Sequence, residues 1–252
     1  MRLTVVGCSG SIAGPSSAAS CYLLEADRGG RTWRVLLDLG SGALGPLQRF
    51  VDPLTIDAVL VSHLHPDHYF DISGLYVLWK YHPDGERPPI PVWGPRGIAK
   101  QAARAYGLRK EPGMSAQFEF HEYDGQPVEV GPFSVDVAQV AHPITAYALR
   151  VQAGGGVLVY SGDTGPCQEL VDLATGADLL LAESAFVEGG DNPVDLHLTG
   201  KQAGAAAAEA GVGRLVLTHI PPWHDTETCL AEARGQFAGP LEAAATGSTY
   251  TV

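Results

Sequence analysis

Ser62-His63-Leu64-His65-Pro66-Asp67-His68 places three imidazoles and a carboxylate in a single short stretch. The apolar run Ile56-Asp57-Ala58-Val59-Leu60-Val61 stands directly before it. A buried strand that delivers His and Asp side chains to a loop is a way to build a metal site, because zinc and related ions take His nitrogen and carboxylate oxygen. In an extended segment His63 and His65 project to the same side. Pro66 then turns the chain, so Asp67 and His68 are free to face a second, adjacent ion.

Outward from this stretch, the pattern of an apolar strand ending in one ligand-type residue recurs. His142 follows Val140-Ala141, Asp163 follows the run Val157–Tyr160, and His219 follows Leu215-Val216-Leu217-Thr218. In layered α/β proteins sites are built at strand ends. A carboxylate such as Asp163 can bridge two ions, which a neutral histidine cannot.

The remaining chain reads as strands in the first half and alternating strands and helices in the second. Asp27-Arg28-Gly29-Gly30 suits a hairpin turn between Ser20–Glu25 and Trp33–Asp38. A short helix is predicted over Pro46–Phe50 and a continuous one over Asp67–Trp79. Further helices are predicted over Ile98–Tyr106, from Gly165 to Leu173, and over Asp225–Phe237, followed by one last short strand. Hairpins are predicted around Gly131-Pro132 and Gly154-Gly155-Gly156. Thr199 caps a helix over Gly200–Ala210. No composition shift marks a linker, so residues 1–252 are expected to form one α/β domain with two central sheets and helices outside.

Composition narrows the class. The chain has 252 residues, 45% hydrophobic and 17% charged, with a formal net charge of −12. Those proportions are globular. No apolar run is long enough to span a membrane, and Met1-Arg2-Leu3-Thr4-Val5-Val6-Gly7 reads as a strand rather than a leader; the expectation is a cytoplasmic protein. The acidic balance disfavours broad phosphate-backbone binding. Cys8, Cys21, Cys167 and Cys229 form no C-x-x-C pair and are expected to be thiols. Gly7 to Pro15 fits neither a dinucleotide fingerprint nor a Walker loop.

The ordered set His63-x-His65-x-Asp67-His68, His142, Asp163 and His219 resembles the metallo-β-lactamase-fold hydrolase superfamily, over nearly the whole chain. The resemblance implies an αββα four-layer sandwich holding two divalent metal ions, Zn²⁺ before Mn²⁺ or Fe²⁺. It implies His63, His65 and His142 on one ion, Asp67, His68 and His219 on the other, and Asp163 between them. The β-lactamases proper carry Cys where this chain has Asp163. Asp195-Leu196-His197-Leu198-Thr199 and Glu183-Ser184-Ala185-Phe186 are similar to the ribonuclease Z and phosphodiesterase group. There the His donates a proton to the leaving oxygen and the Glu orients it, so His197, Glu183 and Asp67 (orienting the attacking water) are the catalytic candidates.

Ribonuclease Z proteins carry a long arm between the counterparts of His142 and Asp163. Here Asp163 comes 21 positions after His142, room for a hairpin only. The expected substrate is therefore a small phosphodiester or nucleotide, with closest resemblance to actinobacterial phosphodiesterases that degrade cyclic nucleotides such as cyclic AMP. The alternatives are tRNA 3′-end endonuclease activity, a lactone, thioester or sulfate-ester substrate, or a metal-stabilised interaction module without turnover. Ser9, Ser11 and Ser41 are candidates for the phosphate end. Trp223 and Tyr147 are expected to pack, and His82, His121 and His224 to lie at the surface. Relatives are often dimers, and Ala205–Ala208 is the stretch that would suit a homodimer contact.

Overall fold

A computed structural model describes residues 1–252. The strands are β1 (Arg2–Ser9), β2 (Ala18–Ala19), β3 (Cys21–Arg28), β4 (Arg31–Leu37), β5 (Ala58–Leu60), β6 (Ile90–Gly94), β7 (Phe118–Glu122), β8 (Val128–Val130), β9 (Phe133–Val140), β10 (Ala146–Ala153), β11 (Gly156–Tyr160), β12 (Leu179–Glu183), β13 (Leu215–Thr218), β14 (Leu241–Ala243) and β15 (Thr249–Thr251). The helices are α1 (Leu44–Leu47), α2 (Pro66–Tyr69), α3 (Ile72–Tyr81), α4 (Ile98–Ala105), α5 (Gln168–Ala174), α6 (Gly200–Ala210) and α7 (Thr226–Arg234).

The strands form two sheets, ordered β15-β1-β3-β4-β5-β6-β7, with β2 on β1, and β14-β13-β12-β11-β10-β9-β8. Each is antiparallel on one side and parallel on the other. From β4 to β7 and from β11 to β14 the neighbours run alike.

Alternation along the strands explains the layering. In β1, β3, β4 and β5, Leu3, Val5, Tyr22, Leu24, Val35, Leu37 and Leu60 face the second sheet and meet Phe133, Val135, Leu149, Val151 and Leu158. The intervening Val6, Leu23, Leu36 and Val59 face outward under α3 and α4. On the second sheet Val159, Leu180, Leu215 and Leu217 face outward under α5, α6 and α7. Strands covered on both faces are nearly continuous in apolar residues, which is why β12 and β13 read as apolar runs up to Glu183 and Thr218 at their ends. This is the αββα sandwich expected from the sequence.

Several local expectations hold. The Gly29–Gly30 turn joins β3 to β4. Thr199 caps α6 by accepting from Gln202 N at 3.2 Å, while Gln202 Oε1 accepts from Thr199 N at 2.9 Å. Others shift. The helix predicted over Asp67–Trp79 is two, broken at Phe70–Asp71, because the Asp71 carboxylate accepts from Gly42 N and Leu44 N at 3.1 and 2.8 Å. That bond ties the break to the preceding loop. The short helix starts at Leu44 rather than Pro46 for the same reason, its first amide being held by Asp71. The chain ends in two short strands, not one. All four cysteines are free thiols, Cys21 and Cys229 buried and Cys8 and Cys167 partly so. No helix is long and apolar enough to cross a membrane.

Candidate metal centre

The parallel arrangement puts the ends of β4, β5, β11, β12 and β13 along one edge of the sandwich. Asp38 and His219 follow β4 and β13 directly, the Ser62–His68 stretch starts and Asp163 stands within three residues of the ends of β5 and β11, and Glu183 is the last residue of β12. His142 arrives after β9. Isolated bridges Ser9↔Ile220 and His63↔Ala146 stitch the two sheets together at this edge.

Pro66 opens α2, with His65 as its N-cap. Proline's fixed φ suits the first helical position, so His65 is left outside the turn while Asp67 and His68 are wound into it. The donors gather as the spacing suggests. His63 Nε2 lies 3.0 Å from His65 Nδ1, which lies 3.2 Å from His142 Nε2. On the other side His68 Nε2 lies 3.1 Å from His219 Nε2, and Asp67 Oδ2 is 3.1 Å from that same nitrogen. Asp163 stands between: Oδ2 is 3.6 Å from His63 Nε2, and Oδ1 is 3.2 Å from His68 Nε2 and 3.5 Å from His219 Nε2. Two groups result, His63/His65/His142/Asp163 and Asp67/His68/Asp163/His219, each with its donor atoms within 4.8 Å of one another.

Ring nitrogens converging to 3.0–3.2 Å suit a cation. In a tetrahedral zinc site with bonds of about 2.0–2.1 Å, neighbouring nitrogens stand roughly 3.3–3.4 Å apart. The buried Asp163 Oδ1 has no hydrogen-bond partner, as an acceptor reserved for a cation would not. Burial first, then the neighbouring imidazoles, holds His63 well below the ordinary histidine range. Burial likewise lowers His65, and takes His142 down to about 4. These rings are neutral, the form that coordinates. Burial disfavours charge on Asp67 and Asp163, but the hydrogen bonds of His219 and His68 to Asp67, and the imidazoles of His219, His68 and His63 crowded against Asp163, keep both well below the carboxylate range.

Behind the donors lies a group that the motif reading missed. Asp38 is fully buried and accepts from Ser62 N (2.7 Å), Ser62 Oγ (2.8 Å), His68 Nδ1 (2.7 Å) and Tyr160 OH (2.7 Å). It fixes His68 so that Nε2 faces the cluster. Burial opposes a charge on His68, and the Asp163 and Asp38 carboxylates outweigh it, raising His68 well above the ordinary range. Asp38 and His219 both adopt left-handed backbone, at φ +59° and +54°. Such backbone in non-glycine residues clusters at functional sites. Two close approaches keep the frame tight. A Cβ on Gly40 would stand 1.9 Å from Asp67 O, and one on Gly10 2.1 Å from His219 O.

Glu183 and His197 meet as the sequence suggested. His197 Nδ1 lies 2.8 Å from Glu183 Oε1, and Glu183 also accepts from Thr164 N at 2.8 Å and Ala185 N at 3.1 Å. Burial lowers His197, but the Glu183 charge and hydrogen bond outweigh it and raise His197 above the ordinary value. The ring stands 5.7 Å from that of His142 and 5.6 Å from that of His219. Ser11 reaches the cluster through its backbone N, 3.3 Å from His219 Nε2. Ser9 is buried at the bridge to Ile220, and Ser41 contributes its carbonyl to Ala19 N. Tyr147 packs on Tyr123. Trp223 does not pack; a turn closed by His224 N→Pro221 O leaves it 61% exposed. His121 stacks on Trp93, and His82 lies beside Asp84.

The fold and this edge define a metallo-hydrolase. The chain belongs to the beta-lactamase superfamily domain family, whose model matches residues 33–220. It is 43% identical over 256 residues to an uncharacterized protein of Mycobacterium leprae (strain TN), covering 100% of this chain and 89% of that one. It is 33% identical over 270 residues to the ribonuclease Z of Myxococcus xanthus (strain DK1622), covering 85% of this chain and 87% of the relative. The crystal structure of the metallo-beta-lactamase fold protein YhfI from Bacillus subtilis superposes with a TM-score of 0.87 at 29% identity, covering 99% and 98% of the two chains.

Proposed function

We propose that the protein, as one 252-residue catalytic unit, is a two-metal phosphodiesterase acting on a small phosphodiester, a 3′,5′-cyclic nucleotide such as cyclic AMP. The observation that carries this reading is the His197–Glu183 pair at 2.8 Å set beside a two-centred donor cluster. His63, His65 and His142 would hold one ion and Asp67, His68 and His219 the second, with Asp163 common to both groups. Zinc suits the nitrogen and oxygen donors; manganese or iron(II) are the alternatives. When bound, the ions lower the pKa of water and neutralise charge on the phosphoryl oxygens.

The chain's own residues do the rest. Asp67 orients the attacking water. Water oxygen bonds to phosphorus and gives up a proton to solvent, the phosphorus–oxygen bond to the alcohol breaks, and the leaving oxygen takes a proton from His197, which solvent then reprotonates. Glu183 holds Nδ1 and stabilises the imidazolium, so the other nitrogen, Nε2, delivers the proton.

The segment between His142 and Asp163 supports a small substrate. β10 and β11 close on each other from Leu149↔Tyr160 to Ala153↔Gly156, a plain hairpin with no arm to hold a tRNA. The net charge of −12 points the same way. The similarity to a ribonuclease Z favours a second reading, tRNA 3′-end cleavage.

A parallel assay of metal-loaded protein on cyclic AMP, bis(p-nitrophenyl) phosphate and a precursor tRNA separates the two. Hydrolysis of the first two is expected; cleavage of the tRNA alone overturns the proposal. His197→Ala should keep both metals and lose roughly 10²–10⁴-fold in kcat. Full turnover in that variant removes His197 from the acid role.

A further inference from the structure

A cavity of about 260 Å³ opens beside His197, lined among others by Phe186, Glu188, Asn192, Val194 and Asp195. With Nδ1 of His197 bonded to Glu183 at 2.8 Å, Nε2 is the nitrogen left free, on a residue that itself lines this cavity. Phosphorus must sit at that cluster and the leaving oxygen at Nε2. The rest of the alcohol then extends past His197, where this cavity lies.

The segment lining the cavity is held to the site rather than loose. His142 Nδ1 donates to Leu196 O at 2.9 Å, and Asn192 Nδ2 to Val187 O at 2.9 Å. Asp195 adopts φ +55° and its backbone presses on Gly165, where a Cβ would stand 2.6 Å from Asp195 Cα. A shift in this segment would therefore be felt at His142 and in the loop that carries Asp163.

The lining has a definite chemistry. Carboxylates accept hydrogen bonds and donate none, so Asp195 and Glu188 suit hydroxyl groups. Glu188 is already engaged, accepting from Thr199 Oγ1 at 2.7 Å and pairing with Lys201 at 3.4 Å. Asp195 has neither a hydrogen-bonded partner nor an ion pair through its carboxylate, and it is an exposed residue of the cavity lining. Phe186, whose ring meets that of His197 at 5.0 Å, and Val194, 85% exposed, add apolar surface for the face of a sugar or base. The unpaired Asp195 charge repels a second anion.

We infer that this cavity is the leaving-group subsite, which admits a hydroxyl-bearing alcohol such as a nucleoside and, through Asp195, rejects one that carries its own phosphate. The inference rests on the phosphodiesterase reading above. It makes Asp195 a specificity-determining residue, and gives a reason, separate from the missing arm, for small substrates over polynucleotides: in a polynucleotide the leaving nucleoside bears the next phosphate.

The test compares the dinucleotide adenylyl-(3′,5′)-adenosine with its 5′-phosphorylated form, in wild type and Asp195→Asn; with the bond from phosphorus to the 3′-oxygen breaking, the leaving nucleoside is the one that carries the added phosphate. Asparagine tolerates left-handed backbone, so the variant keeps the loop, and equal thermal midpoints check this. The wild type should favour the unphosphorylated dinucleotide on the order of tenfold in kcat/KM, the scale of one screened charge–charge repulsion. Asp195→Asn should bring that ratio towards one. Equal rates on both by the wild type, which needs no variant, overturn the subsite. So does a ratio unchanged by Asp195→Asn, or cleavage of cyclic AMP with neither dinucleotide cleaved. Failure to hydrolyse any of these, bis(p-nitrophenyl) phosphate included, overturns instead the phosphodiesterase reading.

Discussion

Asp38→Asn removes one charge and exchanges one oxygen for a donor, with almost no change in volume. Because asparagine also accepts left-handed backbone, the φ of +59° at this position adds little to the cost. The carboxylate takes Ser62 N on Oδ1, and Ser62 Oγ, His68 Nδ1 and Tyr160 OH on Oδ2. An amide can keep its oxygen on the Oδ2 side and lose Ser62 N, or keep Ser62 N and turn a donor towards three others. The first choice is the cheaper. It leaves one buried amide unpaired, at about 1–3 kcal/mol, and reduces the remaining bonds from charge-assisted strength, about 1.5–3 kcal/mol, to about 0.5–1.5 kcal/mol. Relief from burying a charge offsets part of this. A net loss of about 3 kcal/mol is expected, read as a lower urea midpoint at unchanged slope. His68 also loses the group that orients its ring, which lowers metal affinity roughly 10–100-fold. Metal titration by calorimetry reads this separately. A variant with wild-type midpoint and wild-type metal affinity would refute the view that Asp38 organises the centre.

Gly40→Ala should be among the most damaging single-methyl changes in the chain, since the new Cβ meets Asp67 O at 1.9 Å; a thermal midpoint close to wild type would contradict it. Glu183→Gln should move the alkaline limb of the pH–rate profile to lower pH. The acid acts protonated, Glu183 raises the His197 pKa, and without that charge the proton leaves at lower pH; a limb that stays in place separates Glu183 from the proton transfer. Chelation should lower the thermal midpoint, because ions bound only to the folded chain stabilise it by mass action. Zinc added back should restore the midpoint in wild type and much less in Asp163→Ala.

The donor set was legible because each member is a polar residue at the end of an apolar strand. That is a local signal, readable without knowing which strands are neighbours. The αββα layering was legible for a related reason: β12 and β13 are apolar up to their last residues, Glu183 and Thr218, as strands buried on both faces tend to be. What stayed hidden depends on contacts between distant segments. Asp38 satisfies the same strand-end rule as Asp163, following Val35-Leu36-Leu37, yet its role follows from lying beside Ser62 and His68, which only the parallel pairing of β4 with β5 reveals. Tyr160 reads as one more core aromatic until its hydroxyl is seen to reach Asp38. The break at Phe70–Asp71 is invisible in helix propensity, because its cause is a carboxylate bound to amides of Gly42 and Leu44.

This division follows from how the site is assembled. Strand ends supply the donors, so their spacing in the chain tolerates variation while the pairing of β11, β12 and β13 holds Asp163, Glu183 and His219 side by side. The segment from Phe186 to His197 belongs to no strand or helix. It is fixed instead by His142 at Leu196 O and by Gly165 at Asp195. Side chains before His197 can change without disturbing the donors so long as these backbone contacts are kept, and the residues that sort substrates are expected there. Asp195 binds nothing through its side chain while its backbone is held against Gly165: the fold uses the position of that residue and leaves its carboxylate free, as the proposed subsite requires.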